Sequence, residues 1–252
     1  FLHDKSTTEI MGNLPLCSDD RDENQRTWWK LCGGKRATFQ METELTPMHQ
    51  AAANGDINKL VELLNIGEDK DEPAIYSGMG KTPLIEGIQG GHLDVVKLLI
   101  EKYKDDPNKT DDNGQTPLMW SIVCDRTDIT KYLLEIGVDG SKANVEGMNA
   151  IMLVIEECYN NMSDSADIVK LVHEKGSVDL NWHDNEGETA LMYCCKFNQH
   201  KTVEYLLEKE VDTTKKNNQG QTARDIAHYY EHIKCQNLLN PKKLHKKKSV
   251  NL

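Results

Sequence analysis

Apolar residues along this chain gather in short clusters at helical spacing, separated by polar, glycine-punctuated stretches. Val95, Val96, Leu98, Leu99 and Ile100 form one cluster. Ile129, Tyr132, Leu133 and Leu134 form another, and Val203, Leu206 and Leu207 a third. Spacings of three and four residues place each cluster on one helix face. They predict helices from Leu93 to about Lys102, Asp128 to Glu135 and Lys201 to Lys209. Another helix is expected before each, over Pro83 to Gly90, Pro117 to about Cys124 and Ala190 to Phe197. Gly137 is placed to stop the middle cluster's helix, and Gly91-His92 to separate the first pair.

The start of each pair carries a short motif. Thr46-Pro47-Met48-His49 returns as Thr82-Pro83-Leu84-Ile85, Thr116-Pro117-Leu118-Met119, Asn149-Ala150-Ile151-Met152, Thr189-Ala190-Leu191-Met192 and Thr222-Ala223-Arg224-Asp225. The steps are 36, 34, 33, 40 and 33 residues. Thr caps the helix by accepting a backbone N–H, and Pro fills the first turn, where a missing N–H costs nothing. Gly80, Gly114, Gly147, Gly187 and Gly220 all stand two residues before the Thr or its substitute. In the third unit Asp111-Asp112-Asn113-Gly114 makes a turn, with Gly114 free to take positive φ.

On these residues the chain resembles the ankyrin-repeat family from about Glu42 to Asn240. The resemblance implies an all-α solenoid of stacked helix-turn-helix units with β-hairpin-like fingers at one edge. Repeats are expected near 42–78, 79–112, 113–145, 146–185, 186–218 and 219–240. One unit cannot bury both sides of its helices, so neighbours supply a continuous core. His49 is expected to bond neighbouring backbone. Two units depart from the pattern. The fourth carries seven extra residues, six of them between its helices in or near Tyr159 to Asp164. The sixth has Arg224-Asp225 in place of Leu-His, and its polar last helix suits an end cap.

Residues 1–25 read as a flexible acidic segment around Ser18 to Glu23. Residues 26–41 hold Trp28, Trp29, Leu31 and Phe39 beside Lys30, Lys35 and Arg36. They suit either a cap over the first repeat or a docking segment for a partner or membrane surface. Residues 241–252 form a basic tail with Lys242, Lys243, Lys246, Lys247 and Lys248. Such a tail suits a nuclear import signal, an anionic-surface contact or a merely solvated end.

Lys and Arg number 30 against 41 Asp and Glu, a formal charge of −11. Without the tail lysines the body stands at 25 against 41, or −16. An acidic body repels phosphate, which argues against nucleic-acid binding by the repeats. No apolar stretch approaches the length of a membrane span. Phe1 to Ile10 lack the basic start and apolar core of a secretory signal. Met11-Gly12-Asn13-Leu14-Pro15-Leu16 fails as a myristoylation site because Leu16 stands where Ser or Thr is required. The 7 cysteines show no C-x-x-C pair and no zinc spacing. Buried reduced thiols in a cytoplasmic or nuclear protein are expected.

No catalytic motif, cofactor or metal site is expected. Gly78-Met79-Gly80-Lys81-Thr82 ends like a phosphate-binding loop, but Ile75 stands where the motif needs Gly, and the repeat already explains Thr82-Pro83. The sequence contains no G-x-S-x-G and no H-E-x-x-H.

The family resemblance implies a non-catalytic adaptor, scaffold or inhibitor that holds a protein through its fingers and concave first-helix face. The matching positions are Asp111, Asp112, Asn113, Asp184, Asn185 and Glu186 on the fingers. On the first helices they are Trp120, Tyr193, Lys196, Phe197, Tyr229 and Tyr230. Trp120 and Tyr193 serve equally well as hot spots or as fillers between adjacent helices. Acidic fingers beside aromatics suit a partner with a basic segment. The array is similar to inhibitors of transcription factors such as the inhibitor-of-κB group, without that group's Asp-Ser-Gly motif. A second reading is a regulatory module that senses a phosphorylated or oligonucleotide small ligand through Lys81, Lys196 and Trp120.

Overall fold

The computed structural model describes residues 45–66, 80–160 and 165–240. These belong to one unit within Met41–Leu252. The acidic segment 1–25, the tryptophan-bearing segment 26–41 and the lysine tail 241–252 lie outside the described residues.

Helices come in pairs. α1 (Pro47–Asn54) and α2 (Ile57–Asn65) are followed by α3 (Pro83–Gly90) and α4 (Leu93–Lys97, continued by a π-helical turn at Leu98–Lys102). Next come α5 (Pro117–Val123) with α6 (Thr127–Glu135), and α7 (Ala150–Asn160) with α8 (Ala166–Gly176). The last pairs are α9 (Ala190–Lys196) with α10 (His200–Glu208), and α11 (Ala223–Tyr229) with α12 (Ile233–Leu238). The hydroxyls of Thr46, Thr82, Thr116, Thr189 and Thr222 each accept the backbone N–H three residues on. Asn149 replaces the hydroxyl with its amide oxygen, 3.1 Å from the Met152 nitrogen. The helix-start prediction therefore holds even where Thr-Pro is lost.

First helices pack in series from α1 through α3, α5, α7 and α9 to α11. Second helices do the same from α4 through α6, α8 and α10 to α12. Between the rows lie Ile88, Val95, Leu99, Ile129, Leu133, Val203 and Leu206, all fully buried. Polar stitches join successive units. His49 donates from Nε2 to the Lys81 carbonyl at 3.0 Å. His92 Nε2, Arg126 Nη2 and His232 Nδ1 donate to the carbonyls of Ala53, Gln89 and Cys195 at 3.0, 2.6 and 2.8 Å. Each satisfies a carbonyl left open at the end of the preceding first helix.

Three details refine the sequence reading. The expected loop in the fourth unit is partly helix: α7 runs 11 residues against 7 in α5 and α9. Residues 161–164 of that insertion lie outside the described residues. Gly55 and Gly91 end the first two first helices with positive φ, but Asp125, Asn198 and Glu231 hold the equivalent left-handed position elsewhere. The fingers carry single bridges, Ala143 to Asn149 and His183 to Thr189, in place of paired strands. Their backbone bonds instead run sideways. Val145, Asn185 and Asn218 donate their N–H groups to the carbonyls of Asn113, Glu146 and Glu186 at 2.9, 3.0 and 2.9 Å. Gly147 permits this approach, because a Cβ there would lie 2.8 Å from the Asn185 nitrogen.

Candidate functional site

The finger candidates divide by burial. Asp111 and Asp184 are 5% and 6% exposed. Asp111 Oδ1 accepts the N–H groups of Asn113 and Gln115, both at 2.9 Å. Asp184 Oδ1 accepts those of Glu186 and Glu188 at 3.0 and 2.8 Å. Asn144 and Asn217 make the same pair of bonds in the fourth and sixth units. The position is thus a turn-former in every described finger, and both aspartates are committed to it. Asp112, Asn185 and Glu186 are exposed, and Asn113 is half-buried.

Trp120 and Tyr193 occupy one repeat position, and the structure decides between their two roles. Trp120 is buried and donates Nε1–H to Asp111 Oδ2 at 3.0 Å. Tyr193 is buried and donates its hydroxyl to Asp184 Oδ2 at 2.8 Å. Each aromatic ties its helix to its own finger, a packing role that sequence spacing leaves undetermined. Burial raises the Asp111 carboxyl above its usual range despite the three bonds it accepts. Burial, followed by the nearby Asp184 charge, pushes the Tyr193 hydroxyl well upward.

Lys81 lies in the same layer. It is 7% exposed, with its ammonium 4.4 Å from the Trp120 ring centroid and 3.0 Å from Gln89 Oε1. Two of the three side chains named for a small-ligand site, Lys81 and Trp120, are therefore occupied with each other and with Gln89, while Lys196 lies apart beside Glu188. Glu86, also buried, has its carboxyl raised by desolvation, with Lys81 opposing.

Three of the first-helix candidates, Lys196, Tyr229 and Tyr230, meet at the junction of α9 and α11. Glu188, Lys196, Gln221, Ile226, Tyr229 and Tyr230 line a groove of about 330 Å³. Tyr229 is 73% and Tyr230 45% exposed. Their rings sit edge to face at 5.0 Å, and Tyr230 stacks on His232 at 5.9 Å. Lys196 lies 3.5 Å from Glu188 and within 5.7 Å of the Phe197 ring. Phe197 in turn packs 6.0 Å from Tyr193. Tyr229 and Tyr230 are exposed at the end of α11, whereas Lys196 and Phe197 at the end of α9 are half-buried.

Trp182 is an exposed aromatic that the spacing argument misses. It precedes the finger turn, at 41% exposure, where the repeat pattern names no contact. Its indole donates to the Gly147 carbonyl at 2.7 Å and stacks on His183 at 6.3 Å. Val145, on the preceding finger, is 62% exposed. A lone Trp in a polar turn was the available signal.

Helix pairs stacked in two rows, with linked fingers and buried turn-forming Asp or Asn, define a repeat solenoid. The family model for ankyrin repeats matches in three copies, over residues 21–111, 103–163 and 158–250. The chain belongs to the ankyrin-repeat family, a fold that typically serves as a binding scaffold. It is 34% identical over 99 residues to osteoclast-stimulating factor 1 of Monopterus albus and 32% identical over 102 residues to that of Danio rerio. Those matches take in 36% of this chain and 44% of each relative. Among solved structures it is similar, at TM-score 0.62 and 27% identity, to a chain from the complex of a Bdellovibrio bacteriovorus predatory endopeptidase with an immunity protein. That match covers 80% of this chain and 98% of the other. It is also similar to the ankyrin repeat protein EF0377, at TM-score 0.64 and 26% identity over 78% of this chain and 97% of the other. An ankyrin repeat domain from Acinetobacter baumannii shares the fold, at TM-score 0.65 and 23% identity over 77% and 95%.

Proposed function

We propose that this chain is a non-catalytic protein-interaction module, an adaptor, scaffold or inhibitor, that holds a protein partner along its first-helix face and fingers. The observation that carries the reading is the groove between α9 and α11, where Tyr229 and Tyr230 stand exposed over the buried Ile226. Tyrosines with an apolar body and a free hydroxyl are frequent binding anchors. A stack that needed them only for stability would bury them, as it buries Tyr193. A structural neighbour taken from an endopeptidase–immunity protein complex supports partner binding by such arrays.

The partner offers a basic segment to the fingers. Residues 111–115, 144–148 and 184–188 carry six carboxylates and no Lys or Arg. Charge of this kind speeds and orients encounter, while the groove aromatics slow escape. Reduced thiols at Cys124, Cys195 and Cys235 fit a reducing compartment, the cytoplasm or nucleus.

Affinity capture with wild type and with Tyr229→Ala/Tyr230→Ala tests the reading. Both residues are exposed, so the variant should melt within about 2 °C of wild type while losing its main captured proteins. Identical capture by the two proteins would reject the groove.

A further inference from the structure

We infer that the finger edge holds a second contact, an apolar ridge of Trp182 and Val145 that takes an arginine side chain of a partner's basic segment. The inference rests on the protein-binding reading above and adds a residue and a side-chain preference to it. Trp182 is not loosely exposed. Its bond to the Gly147 carbonyl and its stack on His183 fix the indole across two fingers. Asn185 reinforces the bridge by donating Nδ2–H to the Val145 carbonyl at 2.8 Å. The ring face is therefore pre-set, and a partner need not order it on binding.

Charge selects the occupant. The indole nitrogen bonds the carbonyl of Gly147, directly after Glu146, and the Glu186 carbonyl anchors the next finger in the same ladder. Asp112 and Glu186 are exposed and Glu146 is half-buried. The lysines that reach these fingers, Lys142 and Lys215, have their ammonium groups engaged by the carbonyls of Asn108 and Asn181 at 2.8 and 2.6 Å. An aromatic face on an edge that carries exposed carboxylates attracts a cation. A planar guanidinium suits it better than an ammonium, because it stacks flat and still presents N–H groups edgewise to carboxylates. An acidic or purely apolar segment would face repulsion or unpaired desolvation at the same place.

The test titrates the full chain with a short peptide alternating Arg and Gly, and with its Lys-Gly and Glu-Gly counterparts. The readout is the indole N–H resonance of Trp182, assigned by its loss in Trp182→Phe. The Arg peptide should move that resonance and bind about two- to fivefold more tightly than the Lys peptide. Trp182→Ala should abolish that preference. Trp182→Phe, which keeps a ring face but lacks the N–H, should retain it when read by calorimetry. Tyr229→Ala/Tyr230→Ala should leave it intact, so failure of the groove and failure of the ridge are separable. Equal binding of the Arg and Lys peptides, an unmoved Trp182 resonance, or an equal response to the Glu peptide would overturn the inference. So would a preference that survives Trp182→Ala and disappears in the tyrosine variant.

Discussion

Asp111→Asn isolates the bond that fixes Trp120 to its finger. Asn at this position is compatible with the turn, since Asn144 holds the same two backbone N–H groups at 3.1 and 2.9 Å. What changes is the other end of the side chain. In place of a carboxylate oxygen 3.0 Å from Trp120 Nε1, an amide NH₂ would confront the indole N–H. A hydrogen bond to a charged acceptor contributes about 1.5–3 kcal/mol, and the loss here strands a buried donor. Relief of the buried carboxylate offsets part of this, because burial already holds the Asp111 carboxyl above its usual range. The net expectation is a loss of about 1–2 kcal/mol, or about 2–8 °C in Tm for an array of this size. Trp120→Phe removes the donor, so in that background Asp111→Asn should cost close to nothing. Urea titration of the four proteins gives the coupling directly. A coupling below about 0.3 kcal/mol would show that the Asp111–Trp120 bond does not hold the finger.

Other expectations follow from the same geometry. Glu231, at φ 57°, occupies the left-handed position that Gly55 and Gly91 fill in the first two units, and Glu231→Gly should raise Tm by about 1–3 °C. Leu133→Ala, fully buried between the helix rows, should cost about 2–5 kcal/mol in a denaturant melt, and a cost below 1 kcal/mol would contradict the packing. Glu86→Gln should stabilise at neutral pH, because the folded state holds the Glu86 carboxyl above its ordinary pKa. Ionised Glu86 opposes folding above that raised value and ceases to do so once pH falls below the unfolded one. The Tm gain of the Gln variant should therefore shrink from pH 7 to pH 4, and a gain that grows on acidification would contradict the assignment. Asp225 closes the cap of α11 by accepting the Thr222 N–H and hydroxyl at 2.9 and 2.7 Å, which lowers its pKa. Asp225→Ala should destabilise near neutrality and become silent at low pH, where wild type loses the same contribution.

The helix order was legible because the residues that write it are local. Thr or Asn at the cap, Pro in the first turn and Gly two residues earlier act within one turn of backbone, and the aliphatic clusters set the buried face. Burial at the finger was not legible. Asp111 and Asp112 are neighbours of one type, yet one is a buried turn-former and the other is exposed. Only the approach of Trp120 from the following helix separates them. The sideways ladder between fingers was hidden for a similar reason, since its donors and acceptors are backbone groups that any residue supplies. The bonds from His92, Arg126 and His232 to preceding carbonyls share a position but not a residue type, so no motif announces them. Exposure of Tyr229 and Tyr230 was readable from their place at a helix end in the last unit. Trp182 escaped because the family pattern draws attention to the turn and not to the strand-like residues before it.

The account depends on the α9–α11 groove facing a protein partner, and photocrosslinking tests this most directly. Benzoylphenylalanine placed at Tyr230 should yield a crosslinked protein partner in cells, while the same group at Glu204, exposed on the second-helix row, should not. Crosslinks from Glu204 with none from Tyr230 would put recognition on the opposite row and contradict the account.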